Sequence, residues 1–83
     1  ICFLGACGVD AEFGLGADDF DECHVKRAMA QGANRVIVPT TTEKLGKRTR
    51  HRVLPPNSID LVITKADLAA DALVAAGYEV QYA

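Results

Sequence analysis

The stretch I-C-F-L-G-A-C-G, residues 1–8, sets the reading of the whole chain. Ile1 to Ala6 is apolar without polar alternation, the pattern of a strand covered on both faces. It ends in Gly-x-x-Gly (Gly5, Gly8), where backbone turns sharply or comes close to a ligand. Further along, R-V-I-V-P (35–39) is a brief β-branched strand ended by Pro39, and I-D-L-V-I-T (59–64) is a third. Y-E-V-Q-Y (78–82) reads as the last. Between them Asp19 and Glu22 have the spacing of a helix cap, and Val25, Ala28, Met29 and Gly32 fall at i, i+3, i+4 and i+7. That spacing predicts a helix of about 13 residues ending near Gly32. Asp67 is placed to cap a second helix over Leu68 to Ala76, closed by Gly77.

Helices alternating with apolar strands define an α/β fold, a mostly parallel sheet with flanking helices and right-handed crossovers. Such sheets receive ligands in the loops at the carboxyl ends of their strands. Here those loops are Gly5 to Gly16, Thr40 to Lys47 and Thr64 to Asp67. Asp10 to Ala17, with Gly14 and Gly16, has the composition of a loop. Arg48, Arg50 and Arg52 alternate with Thr49, His51 and Val53, as in a short exposed edge strand. No internal repeat or low-complexity tract interrupts this order.

With 83 residues, 49% of them hydrophobic and none Trp, the chain supports a single aliphatic core. A domain of this size buries only about 60–65% of the surface its unfolded chain exposes, so association with further chain or a second copy is expected. Ile1 opens directly in a strand, which favours reading residues 1–83 as one partial domain. The net charge of −2 favours neither a nucleic acid nor a membrane. It conceals an acidic segment before residue 23 (Asp10, Glu12, Asp18, Asp19, Asp21, Glu22) and a basic one, K-R-T-R-H-R, at 47–52. Without interleaved aromatics the basic segment is expected to meet an acidic neighbouring subunit rather than DNA. No run reaches the roughly 18 apolar residues of a membrane span, and the chain reads as soluble and cytoplasmic.

Chemistry-bearing groups are sparse. Cys2, Cys7 and Cys23 form no C-x-x-C pair and have only His24 and His51 to join them, so neither a metal nor another cofactor is expected. Cys2 and Cys23 read as buried small hydrophobes, and Cys7, among glycines at a strand end, as the one thiol placed for reactivity. Thr40-Thr41-Thr42-Glu43-Lys44 offers hydroxyls and an ammonium at a ligand edge, a set suited to phosphate or sugar hydroxyls. Glu22 and Lys26 are spaced i, i+4 as a surface pair, or as a grip on ligand hydroxyls if they face the loops. No nucleophile, base and orienting acid occur in a pattern that dictates a reaction, so no enzyme is expected and no catalytic residue is assigned.

F-L-G-A-C-G-V-D at 3–10, G-L at 14–15, E-C-H-V-K-R-A-M at 22–29, V-I-V at 36–38, K-L-G-K-R at 44–48 and I-D-L-V-I-T at 59–64 together resemble the C-terminal effector domain of bacterial transcriptional repressors of the DeoR family. That family typically shows G-A-D-G-I-x-x-x-x-G-L-T, then E-A-x-V-K-x-x-M, then D-S-S-K-F-G, then I-T-D. The resemblance implies a sensor of phosphorylated sugars, homo-oligomeric, with a fold similar to ribose-5-phosphate isomerase and glucosamine-6-phosphate deaminase. DNA would be met only through a winged helix-turn-helix domain outside this chain. Carried over by position, effector contacts fall at Gly5, Ala6, Gly8, Asp10, Gly14, Leu15, Glu22, Lys26 and Lys44. Lys44 is the phosphate partner, and Asp10 and Glu22 accept from sugar hydroxyls.

The departures are informative. Cys7 stands where the motif has an Asp, Gly16-Ala17 replaces the Thr pair after G-L, and Thr41 and Glu43 replace the Asp and second Ser of D-S-S-K. Lys65 replaces the last Asp of I-T-D. A more anionic effector suits Lys65 and Thr41. Two alternatives stand beside the sensor: a fragment of an isomerase-like or deaminase-like enzyme, which the missing carboxylate at Cys7 opposes, and an oligomerisation domain without a ligand.

Overall fold

A computed structural model describes residues 1–83. In chain order its elements are β1 (Cys2–Phe3), β2 (Gly8–Asp10), β3 (Gly14–Ala17), α1 (Phe20–Gln31), β4 (Val36–Pro39), β5 (His51–Leu54), β6 (Leu61–Thr64), α2 (Leu68–Ala75) and β7 (Val80–Tyr82). Short 3-10 turns occupy Thr42–Lys44 and Pro56–Ser58. Four strands form a wholly parallel sheet in the order β1-β4-β6-β7, which bears out the α/β reading. Both helices are capped as the sequence predicts. Asp19 accepts from the Asp21 N–H and Asp67 from the Ala69 N–H. Gly77, at φ +101°, ends α2 with Gly77 N–H on the Val74 carbonyl and Tyr78 N–H on that of Leu73.

The chain forms a second sheet that its sequence does not signal. The segment 10–17, read as a loop, is the turn and return strand of a hairpin, and β2-β3-β5 is an antiparallel three-stranded sheet. Two glycine-bearing strands make poor strand signals, because glycine contributes no side chain to an apolar alternation. Here the packing requires glycine. Gly14 sits at φ +90°, and a Cβ there would lie 2.2 Å from the Leu54 carbonyl oxygen. A Cβ on Gly8 would lie 2.5 Å from that of Lys47.

The core lies between the two sheets and the helices. Leu4, Val9, Leu15, Val38, Val62 and Leu73 are fully buried, each contributing about 1.5–3 kcal/mol of apolar burial. Tyr78 is buried with its hydroxyl on the Asp10 carbonyl, joining the C-terminal end of the parallel layer to the hairpin.

Two packing expectations are corrected. β1 is not covered on both faces: Cys2, Leu4 and Ala6 point inward while Ile1 and Phe3 are 74% and 62% exposed. The apolar stripe of α1 also faces outward, with Val25 59% and Met29 50% exposed. The helix instead buries Cys23 and Ala30 and turns Lys26 and Arg27 toward the sheets. Arg27 donates to the carbonyls of Arg52 and Val53, and Cys23 Sγ donates to the Arg52 carbonyl. Polar capping of the β5 edge therefore orients α1, and no hydropathy period registers that.

Within the chain, the basic segment meets the acidic one through Arg48. Arg48 Nε lies 3.2 Å from Asp10 and its Nη2 lies 3.0 Å from Glu12. The Arg50 N–H donates to Asp18. Pairing β5 with the hairpin is what brings the acidic and basic segments together.

Candidate functional site

The carboxyl edge of the parallel sheet is formed by the ends of β1, β4, β6 and β7. Lys26 is the group that organises its first part. One α-helical turn separates it from Glu22, whose Oε1 is 2.6 Å from the Lys26 ammonium, and the same ammonium donates to the Gly5 carbonyl at 2.8 Å. The Lys26 side chain retains only 15% of its exposure, Glu22 44%. Thus Gly5, Glu22 and Lys26, far apart in sequence, meet where β1 ends. The helix surface pair and the grip on the loop are one arrangement.

Beyond β4, Thr40, Thr41 and the 3-10 turn Thr42–Lys44 carry the chain back across the hairpin. Leu45 forms a parallel bridge to Val9, and the Gly46 N–H donates to the Val9 carbonyl at 2.6 Å. This fixes the half-buried Lys44 just before an anchored position. Lys44 enters none of the chain's ion pairs, so its charge is uncommitted.

The other positions named from sequence are placed differently. Ala6 is buried, Gly8 packs on Lys47, and Gly14 packs on Leu54. Leu15 is at 0% exposure inside the core. Asp10 is occupied: its Oδ2 accepts from the backbone N–H of Phe13 at 2.8 Å and of Glu12 at 3.0 Å, and it pairs with Arg48. These bonds, that from Phe13 foremost, hold its carboxyl below the usual carboxylate range despite partial burial. Asp10 therefore closes the hairpin turn with its side chain and receives Tyr78 on its carbonyl.

Three positions carry polar chemistry that sequence reasoning left aside. Arg27 binds the β5 edge, Tyr78 ties hairpin to sheet, and Thr64, 2% exposed, has a hydroxyl without any hydrogen-bond partner. The last lines a recess with Thr40, Thr41, Thr42 and Lys65. An Arg at i+4 from a buried helical Cys was the available signal for Arg27. Nothing local distinguishes Tyr78 or Thr64. No group of three or more His, Cys, Asp or Glu side chains is arranged to hold a metal ion, and no helix is long and apolar enough to cross a membrane.

The carboxyl edge of this parallel sheet gathers lysines, threonines and a glycine turn, at the position where open α/β sheets commonly receive ligands. Residues 1–66 match the family model described as the DeoR C terminal sensor domain, and the chain belongs to that family. It is 33% identical over 71 residues to the "Putative aga operon transcriptional repressor" of Escherichia coli O157:H7, covering 86% of this chain and 26% of that protein. It is 35% identical over 71 residues to the "HTH-type transcriptional regulator GlpR" of Haloferax volcanii, covering 86% of this chain and 28% of the relative. The aligned region thus spans little more than a quarter of either curated relative. No solved structure matches.

Proposed function

We propose that the chain is the effector-receiving part of a transcriptional repressor of sugar metabolism, and that its ligand is a phosphorylated sugar. The ligand lies across the carboxyl ends of β1 and β4. Lys44 meets the phosphate, Glu22 accepts from a sugar hydroxyl, and Lys26 holds the Gly5 turn in the conformation that presents the backbone of Gly5, Ala6 and Gly8. Asp10, Gly14 and Leu15 act from behind, by shaping the hairpin. The observation that carries this reading is the joining of Gly5, Glu22 and Lys26 at the end of β1, beside a turn that fixes an uncommitted Lys44.

Ligand binding changes operator affinity of a helix-turn-helix domain outside residues 1–83 by favouring one packing of a homo-oligomer over another. The exposed apolar side chains Ile1, Phe3, Val25 and Met29 supply surface for such packing. The test is the thermal midpoint of the full-length protein with sugar phosphates, the parent sugars and inorganic phosphate, alongside Lys44→Ala. At a concentration of about 100 Kd the ligand stabilises the folded state by roughly 2.7 kcal/mol, a shift of several degrees. A shift given by a sugar phosphate and lost in Lys44→Ala supports the sensor. Turnover of the sugar phosphate would replace it with the enzyme reading, and no shift with any phosphate would leave a domain for oligomerisation alone.

A further inference from the structure

Resting on that reading, we infer that the effector carries a second anionic group, and that this group is received by a subsite formed by Thr40, Thr41, Thr42, Thr64 and Lys65. These residues come from the ends of two neighbouring strands, β4 and β6, and line one recess of about 410 Å³ with Pro39, Ile63 and Ala83. The register Ile37↔Leu61, Val38↔Val62, Pro39↔Ile63, continued by one residue, sets Thr40 beside Thr64. Four threonines therefore meet at one edge, although in sequence they form a run and a lone residue 22 positions beyond it.

The groups lining this recess are unspent. The Thr64 hydroxyl, sealed from solvent, has no hydrogen-bond partner, an arrangement that a protein interior rarely keeps. Thr40 and Thr41 hydroxyls make only long bonds, 3.3 Å to the Thr41 carbonyl and 3.4 Å to Glu43. Lys65 is exposed and takes part in no ion pair, so it is a free cation at the rim. Glu43 accepts from Thr41 at the recess, and Ala83, the last residue of the chain, also lines it. Hydroxyl donors beside one ammonium suit a phosphate or carboxylate far better than a neutral sugar ring, since the charged acceptor strengthens each bond.

The recess lies over β4 and β6, whereas Gly5 and Lys26 lie over β1 on the other side of β4. Two strand spacings, about 9–10 Å, separate the two ends. A sugar whose hydroxyl meets Glu22 over β1 and whose phosphate meets Lys44 in the turn after β4 reaches across that gap and places a second phosphate, or a carboxylate, among the threonines over β4 and β6.

Binding to the full-length protein is measured by calorimetry for ribose 5-phosphate, fructose 1,6-bisphosphate and 6-phosphogluconate, in wild type, Lys65→Asp, Thr64→Val and Lys44→Ala. The doubly anionic probe of the matching kind, bisphosphate or phosphorylated sugar acid, binds about tenfold or more tightly than the monophosphate. Lys65→Asp and Thr64→Val remove that advantage while monophosphate affinity stays within about twofold of wild type. Thr64→Val also leaves the ligand-free midpoint unchanged or higher, because it deletes an unpartnered buried hydroxyl, so lost affinity in a folded variant is read directly. If the monophosphate binds through Lys44 and the Lys65 and Thr64 variants leave the ratio between probes unaltered, the second subsite is wrong and the sensor stands. If no phosphorylated sugar binds, the sensor itself fails and the subsite with it.

Discussion

The phenol of Tyr78 donates to the main-chain carbonyl of Asp10 at 2.9 Å, bridging positions 68 residues apart. Tyr78 follows the glycine that ends α2, and Asp10 closes the hairpin, so one bond ties the parallel layer to the antiparallel one. Tyr78→Phe keeps the buried ring and loses this bond, leaving a buried carbonyl without that partner. We expect a loss of about 0.5–1.5 kcal/mol in urea unfolding, with an unchanged m-value. A loss below about 0.3 kcal/mol would show that the bond is matched by solvent.

The same pair makes stability depend on pH at both ends of the range. The folded Asp10 carboxyl titrates below its ordinary value, so its contribution is complete above about pH 4 and is lost as pH falls through the folded pKa. Burial, and secondarily the Asp10 charge, push Tyr78 up to about 12. Its contribution is complete below about pH 10 and is lost as pH rises toward 12. Unfolding free energy measured against pH should therefore fall at both ends. Asp10→Asn should flatten the acid limb, and Tyr78→Phe the alkaline one.

Gly5 and Gly14 give opposite outcomes on substitution. Gly14→Ala places a Cβ 2.2 Å from a carbonyl oxygen at φ +90°, and should cost more than about 2 kcal/mol, read from the thermal midpoint. Gly5 has no atom within 4 Å of a Cβ and no positive φ, so Gly5→Ala should stay within about 0.5 kcal/mol of wild type. A weakened response to sugar phosphate in a stable Gly5→Ala protein would mark Gly5 as a ligand contact.

Lys26→Met removes the tie between α1 and the Gly5 carbonyl. A partly exposed surface pair of this kind contributes about 1 kcal/mol or less to stability, so the midpoint should move little. Amide exchange at residues 5–8 should nevertheless accelerate, because the turn loses its tether. Unchanged exchange would mean that the turn is rigid without Lys26.

Thiol labelling separates the cysteines. Cys2 and Cys23 are 7% and 2% exposed, while Cys7 is part-exposed in the turn after β1. A thiol reagent should modify Cys7 first in the native protein and the other two only on unfolding. Equal rates at all three would show that the turn and α1 open together.

The parallel layer was legible because its strands are short apolar runs bounded by Gly5, Pro39 and Thr64, and because Asp19, Asp67 and Gly77 cap the helices with local chemistry. The family was legible too, since its motifs lie in sequence order from residue 3 to residue 64. The inner face of α1 is not legible in the sequence because Val25 and Met29 carry the period while Arg27 and Lys26 carry the contacts. Hydrophobic periodicity locates a buried face only where burial is what orients the helix.

What the sequence determined by itself is local: strands, caps, and which loops fall at the carboxyl edge. Tertiary structure alone decided that Asp10 is spent on Arg48 and its own turn, that Lys26 reaches Gly5, and that Thr64 joins the Thr40–Thr42 run. The reason is physical. A side chain's chemistry is fixed by its type, but whether its charge or hydroxyl is free depends on partners that pairing of distant strands brings within about 3 Å.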